Sequence, residues 1–305
     1  MHTLIWKAKE NSLSAMQEFL LSFIQVDLNI TFSRRRIKNF LMIFVCGAAI
    51  ALAMPAQGFD KKKYSQSLNE FRPMAEQGDI EAQFIIGLIY LESPITGDIE
   101  SAEYWLEKAA ENGHLTAQVM LGDIYRSNQK MRDYAKAIRW FEVAANRGDA
   151  VAQYGLGTMF YHGYGVEKNN VLAMNWFLKS AEQNEVRAQG ILGNMYLQGQ
   201  GAPQNYRLSA KWFRLAANQG DALAMYALGL IYENGLGFER NLMSSHFFYS
   251  LANTAGHKSA LAAMLRVGAK LSPSEINEAQ RLAKEWKPGT PLPNPSSRPS
   301  NRKLP

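Results

Sequence analysis

The residues best placed to do chemistry are two glycines one residue apart in "FYHGYGVEKNN", residues 160–170. Gly-x-Gly in a polar loop can bring backbone N–H groups against a phosphate, provided that a strand precedes it and a helix N-terminus follows. The spelling returns as "YLQGQGAPQNY" at 196–206 and "YENGLGFERNL" at 232–242, each time between two helical patterns. With helices on both sides, Gly163, Gly199 and Gly235 read as the end of one helix, and Gly165, Gly201 and Gly237 as the reversal that follows. Three copies of such a reversal argue for architecture and against a single ligand site.

Other reactive side chains offer little. The five histidines (His2, His114, His162, His246, His257) include no pair at i, i+3 or i, i+4 that could clamp a metal from one helix. Cys46, the single cysteine, lies in an apolar run, which leaves no disulfide framework or thiolate site in the rest of the chain. No Ser/His/Asp order, paired acidic motif or thiol nucleophile presents itself, so no catalytic residue, metal or cofactor is expected. Trp105, Trp140, Trp176 and Trp212 suggest a stacking platform for sugars or bases, but at helical spacing beside alanines they read as core. His114 and His257 stand where other copies of the pattern have an Asp at a helix start, and are expected to be exposed.

The formal charge of +6 is confined to the ends. Residues 1–56 carry six Lys/Arg against three Asp/Glu, the stretch from Lys287 four against none, and residues 57–286 carry 23 against 24. A neutral middle argues against a nucleic-acid groove. Residues 34–56 have the three parts of a secretory signal: basic 34–38, apolar 40–54, and small residues ending near Ala53 or Ala56. The apolar run is shorter than the ~20 residues of a spanning helix, which favours cleavage over anchoring and predicts an exported, periplasmic protein with no stable membrane span. Val45 before Cys46 disfavours a lipoprotein signal, and Lys38 disfavours the twin-arginine reading of "SRRRIK". The residues ahead of the basic cluster exceed an ordinary signal, which suggests a true start near Val26 or Leu28.

Self-similarity governs residues 57–286. Gly78, Gly113, Gly148, Asn184, Gly220 and Gly256 form one comb, spaced 35, 35, 36, 36 and 36. Trp105, Trp140, Trp176, Trp212 and Phe248 form a second, and Ala82, Ala117, Ala152, Ala188, Ala224 and Ala260 a third, all in one phase. Within a unit, Ala152, Leu156, Met159 and Phe160 make one helical stripe, and Ala137, Trp140, Phe141, Ala144 and Ala145 another. Each unit therefore reads as a helical hairpin. Gly87, Gly122, Gly157, Gly193 and Gly229 sit in mid-helix at about 1 kcal/mol each, which implies a close neighbour. Asp79, Asp149 and Asp221 follow the comb glycines as N-caps.

"AEQGDIEAQFIIGLIY", "AANRGDAVAQYGLGTMFYHGYGVEKN" and "ANQGDALAMYALGLIYENGLGFERN" resemble the Sel-one-like repeat (SLR), a relative of the tetratricopeptide repeat, over residues 60 to about 270. The loops "LESPITGD" and "RSNQKMRD" lack the family's Gly-x-Gly, and Asn184 replaces a cap glycine. The resemblance implies an all-α, right-handed α-solenoid of TPR-like hairpins, with about five repeats. Asp60–Gln77 reads as a capping helix with Phe71 in the slot of Phe141, and Ser272, Pro273 and Glu275 as the capping box of a last helix. Residues 287–305, rich in Pro and Ser, read as a disordered tail.

A solenoid's function lies on positions that its core does not dictate. On the first helix of each unit these are −1, +2, +6 and +9 from the recurring alanine, and the residue type there changes at every step. Phe84, Leu88, Tyr154, Tyr161, Tyr226 and Leu230 are the aromatic and apolar members; they would line an inner groove, or pack on the neighbouring unit. The family resemblance implies a non-catalytic exported adaptor for a protein or peptide, in envelope assembly, periplasmic signalling or contact with host proteins. Two alternatives remain: a hydrolase or binder of peptidoglycan or β-lactam substrates, disfavoured because the relatives concerned carry a cysteine pair per repeat, and a structural spacer.

Overall fold

A computed structural model of the chain describes residues 61–92 and 98–293; the expected signal segment and residues 294–305 lie outside them. Among the described residues there are thirteen helices and no strand. A capping helix, α1 (Lys61–Glu76), precedes five pairs of helices in chain order: α2 (Ile80–Glu92) and α3 (Ile99–Glu111), α4 (Leu115–Ser127) and α5 (Tyr134–Asn146), α6 (Ala150–His162) and α7 (Asn170–Glu182), α8 (Val186–Gln198) and α9 (Tyr206–Asn218), and α10 (Ala222–Asn234) and α11 (Leu242–Thr254), the last four pairs packed as hairpins. α12 (Ala260–Gly268) and α13 (Pro273–Glu285) follow.

The chain divides into two compact units, one ending at Ala102 and one beginning at Glu103. In the first, α1 packs on α2, with Phe71 and Ala75 buried as the capping role requires. In the second, each helix from α4 to α11 packs on its successor, first helices also touch across a repeat (α4 on α6, α8 on α10), and α13 returns to α11. This is an all-α solenoid.

Helix ends follow the sequence signals. Asp149 and Asp221 cap α6 and α10, accepting from Ala152 N and Ala224 N at 2.8 and 2.6 Å. The comb residues take left-handed backbone, and Asn184 does so as well as the glycines it replaces, with φ 66°. Ser272 and Glu275 form the reciprocal capping box of α13. The Gly-x-Gly loops are hinges: Gly163 ends α6 at φ 75°, and a Cβ on Gly165 would lie 2.6 Å from Tyr134 Cβ, so this loop also seats one repeat on the one before.

The core departs from expectation in one respect. Of the recurrent tryptophans only Trp140 is buried; Trp105, Trp176 and Trp212 are half-buried at the surface, where Lys179 lies 4.2 Å from the Trp176 ring centroid. The core slot belongs to the next residue, Leu106, Phe141, Phe177, Phe213 or Tyr249. Those rings explain the mid-helix glycines: a Cβ on Gly122, Gly157, Gly193 or Gly229 would lie 2.5–2.7 Å from Phe141, Phe177, Phe213 or Tyr249. The close neighbour is an aromatic face of the hairpin's own second helix, with only a hydrogen on the glycine side to meet it.

A buried polar ladder joins successive repeats. Gln118, Gln153 and Gln189 donate to Ala110 O, Ala145 O and Ala181 O in the preceding second helix. Each then accepts, from Arg147, Gln183 and Gln219 respectively, a side chain that also reaches Gly113 O, Gly148 O or Asn184 O. Ala110 O, Ala145 O and Ala181 O also accept from Gly113 N, Gly148 N and Asn184 N, so the ladder adds a second donor to each and ties the helix end to the next repeat.

Candidate functional site

The four expected groove residues of the second unit stand at +2 (Tyr154, Tyr226), +6 (Leu230) and +9 (Tyr161) from the recurring alanine and share one arrangement. Tyr154 is half-buried, its ring against Phe177 (centroids 5.8 Å apart) and beneath the Arg187 guanidinium at 4.4 Å. Tyr161 donates its hydroxyl to Gln200 Oε1 at 2.8 Å. Tyr226 stacks on the His257 ring at 4.2 Å, and Leu230 packs against the cluster of Tyr249, Ala263 and Val267. Each therefore leans on the following repeat while keeping part of its surface open. Phe84 and Leu88, half-buried on α2, belong to the first unit.

The remaining members of this face set its relief. Gly190 takes the same position on α8 as Tyr154 on α6 and Tyr226 on α10, and nothing lies within 4 Å of where its Cβ would be. A gap one side chain deep thus separates two tyrosines. Its charges are matched locally: Arg187 to Glu185 (2.7 Å), Arg126 to Asp123 (2.7 Å), and Arg266 to Glu233 (2.7 Å). Such a face offers aromatic and hydrogen-bonding contact without a strong field.

His257 does not cap a helix as the Asp slot suggested. α12 begins three residues later, and the imidazole is half-buried on Tyr226. His114 does cap, accepting from Ala117 N at 3.1 Å, and is half-buried rather than exposed.

The structure also assembles a charged cluster that linear spacing did not flag. Glu103 and Glu107, one turn apart on α3, both face the Tyr125 hydroxyl of α4, and Lys136 Nζ of α5 lies 2.8 Å from Glu103 and 3.4 Å from Glu107. Burial works to raise the Glu103 pKa, but hydrogen bonds from Lys136 and Tyr125 outweigh it and hold the carboxyl below its usual range. Burial, and then the two carboxylates, push the Tyr125 phenol up. The cluster ties three helices together. The signal that could have found it is the aromatic that ends the stripe of each first helix, which at Tyr125 carries a hydroxyl.

Among the described residues no group of three or more His, Cys, Asp or Glu could hold a metal ion, and no helix is long and apolar enough to cross a membrane.

Comparison with known proteins agrees with this construction. No curated protein matches the chain at a significant level. Among solved structures, c5321, described as a protective antigen of uropathogenic Escherichia coli strains displaying an SLR fold, is 32% identical with a TM-score of 0.64, over 69% of this chain. The match covers 48% of c5321, so this chain spans about half of that protein. A Sel1 repeat protein from Oxalobacter formigenes is 27% identical with a TM-score of 0.59, covering 73% of this chain and 94% of the other. The Sel1 repeat model matches residues 80–114, 115–149, 150–185, 186–221 and 222–257, the five helix pairs described above, and the chain belongs to the Sel1 repeat family.

Proposed function

We propose that the protein is a non-catalytic scaffold that binds a protein or peptide partner through the non-recurring face of its first helices. Sel1 repeats generally mediate protein interactions. The observation that carries the reading here is the open position at Gly190 between Tyr154 and Tyr226: the recurring residues are spent on the core, while this face presents half-open tyrosines around a gap. The signal-like residues 34–56 support an exported, periplasmic setting. That setting fits envelope assembly, periplasmic signalling or contact with host proteins, and the likeness to a protective antigen of uropathogenic Escherichia coli strains supports the last.

The test is crosslinking capture of partners from envelope extracts, followed by the binding of one identified partner to variants. Gly190→Leu grows from a Cβ that has nothing within 4 Å, fills the gap and improves helix propensity. It should weaken that binding at least tenfold while the thermal midpoint holds or rises. Tyr154→Asp and Tyr226→Asp should do the same with some loss of stability. Unchanged binding by Gly190→Leu, with stability lost in both tyrosine variants, would reduce these residues to packing.

A further inference from the structure

The repeat ladder stops at the fifth hairpin, and something else takes its place. Ala255 stands where Arg147, Gln183 and Gln219 stand in earlier repeats, and Met225 stands where Gln118, Gln153 and Gln189 do. Neither can bridge the end of α9 to its successor. That end is covered instead by the chain beyond α13. A turn closed by Thr290 N to Lys287 O (3.0 Å) and Trp286 Nε1 to Thr290 O (3.0 Å) sends Lys287–Pro293 back across α9 as a strap. Composition places the end of the fold at Trp286; the packed chain runs on to Pro293.

The contacts of the strap are those of a recognised peptide. Gly289 N–H donates to Asn218 O at 2.7 Å, and Arg214 Nη2 donates to Leu292 O at 2.9 Å and Pro293 O at 3.4 Å. Leu292 alone is buried, in the cluster shared by α9, α10, α11 and α13, while Lys287 to Pro291 are exposed. Main-chain hydrogen bonds with one side-chain pocket are how peptides are read; Pro288 and Gly289 (φ 84°) make the turn, and Pro291 and Pro293 hold the residues on either side of Leu292 in a restricted, extended-type backbone. The fit is incomplete: Asn218 Oδ1 is buried without a donor among the described residues.

We propose that the C-terminal end of α9 is a second binding site, independent of the tyrosine face, for an extended proline-flanked leucine segment of a partner protein. The strap is its intramolecular occupant and keeps it closed until a competitor with the same chemistry displaces it. Arg214 anchors the carbonyls of the ligand and the pocket of Leu292 takes its aliphatic side chain.

The probe is a fluorescein-labelled peptide Lys-Pro-Gly-Thr-Pro-Leu-Pro, titrated against the full chain by fluorescence anisotropy. Leu292→Asp, which expels the strap, should bind the peptide at least tenfold more tightly than the unmodified protein does. Adding Arg214→Met should remove that gain, and a peptide with aspartate in place of leucine should not bind. Equal binding to the unmodified chain and Leu292→Asp, equal binding of both peptides, or no binding by a Leu292→Asp protein with native far-ultraviolet dichroism and a cooperative melt overturns the proposal. If Leu292→Asp does not fold, Leu292→Ala is titrated in its place against the same criteria.

Discussion

Two places in the second unit face the same demand and meet it differently. At the ends of α3, α5 and α7, a glutamine and an arginine or second glutamine, both from the next repeat, bind carbonyls of the helix end. At the end of α9, the next repeat offers Ala255 and Met225, and a strap from outside the repeats binds Asn218 O. The earlier repeats rely on the neighbour that follows; the fourth is followed by one that lacks both ladder side chains, so its closure comes from sequence that obeys no period. Ladder side chains lie on helices held by two neighbours, whereas the strap is held by one buried leucine and a few hydrogen bonds. The interior is therefore built for permanence and the end for exchange.

The largest effect should come from the interior glycines. Gly193→Ala forces a Cβ to within 2.6 Å of Phe213, and urea unfolding should show a loss of about 2–3 kcal/mol. Gly268→Ala near the end meets His246 at 3.4 Å and should stay within about 1 kcal/mol of the parent. Equal losses would mean that the end is packed as tightly as the interior. Next in size is the ladder itself. Gln189→Leu removes two hydrogen bonds, the one it donates to Ala181 O and the one it accepts from the Gln219 amide, and should cost about 1–3 kcal/mol, against less than about 1.5 for Met225→Leu.

The end should also respond to mild acid through a histidine at a position where the earlier repeats have none. Ile138, Met174 and Ala210 occupy a position that His246 takes in the last complete repeat. His246 is buried, with Ser250 Oγ 3.4 Å from Nδ1, Met264 bonded to the same hydroxyl, and Gly268 beside the ring. Burial lowers its pKa below the usual 6.5, so the fold favours the neutral ring. The unfolded chain then takes up the proton first as pH falls. The associated stability is whole above pH 6.5 and is lost between there and the lower folded value. His246→Met should flatten the pH dependence of the thermal midpoint across that window; a slope that persists unchanged would assign the effect to other groups.

The hairpins, their caps and the hinge role of the Gly-x-Gly loops were legible because a period multiplies every weak local signal. Asn184 could be placed as a left-handed cap from its phase alone. What was not legible depends on neighbours about one repeat away. Trp and the residue after it recur together, and periodicity cannot say which faces inward; burial falls to Phe141, Phe177 and Phe213. The Gln ladder recurs in plain sight, but its acceptors are backbone carbonyls, which no residue type reveals. Glu103, Glu107, Tyr125 and Lys136 come from three helices and meet once. The strap was hidden by its composition, since proline and serine signal poor folding unless, as with Leu292, one side chain finds a pocket. Its sequence signal lies elsewhere, in the replacement of the ladder pair by Met225 and Ala255.

That replacement can be reversed. Met225→Gln alone should place an amide against Ala217 O, as Gln189 does against Ala181 O, but leave its own carbonyl buried and unpaired, at a cost of about 1–2 kcal/mol. Ala255→Gln alone sits at an exposed helix end and should stay within about 0.5 kcal/mol of the parent. If the rim keeps its interior geometry to the last repeat, the two together form the missing rung, and a double-mutant cycle by urea unfolding should return about 0.5–1 kcal/mol of favourable coupling. Coupling near zero would mean that Pro288, which lies over Gly220, has reshaped this end, and that ladder and strap are alternative closures. The grafted protein then separates the two roles of the strap. A rung that forms makes the strap dispensable for stability, so Leu292→Asp in the graft should cost less than in the parent, by about the coupling just measured.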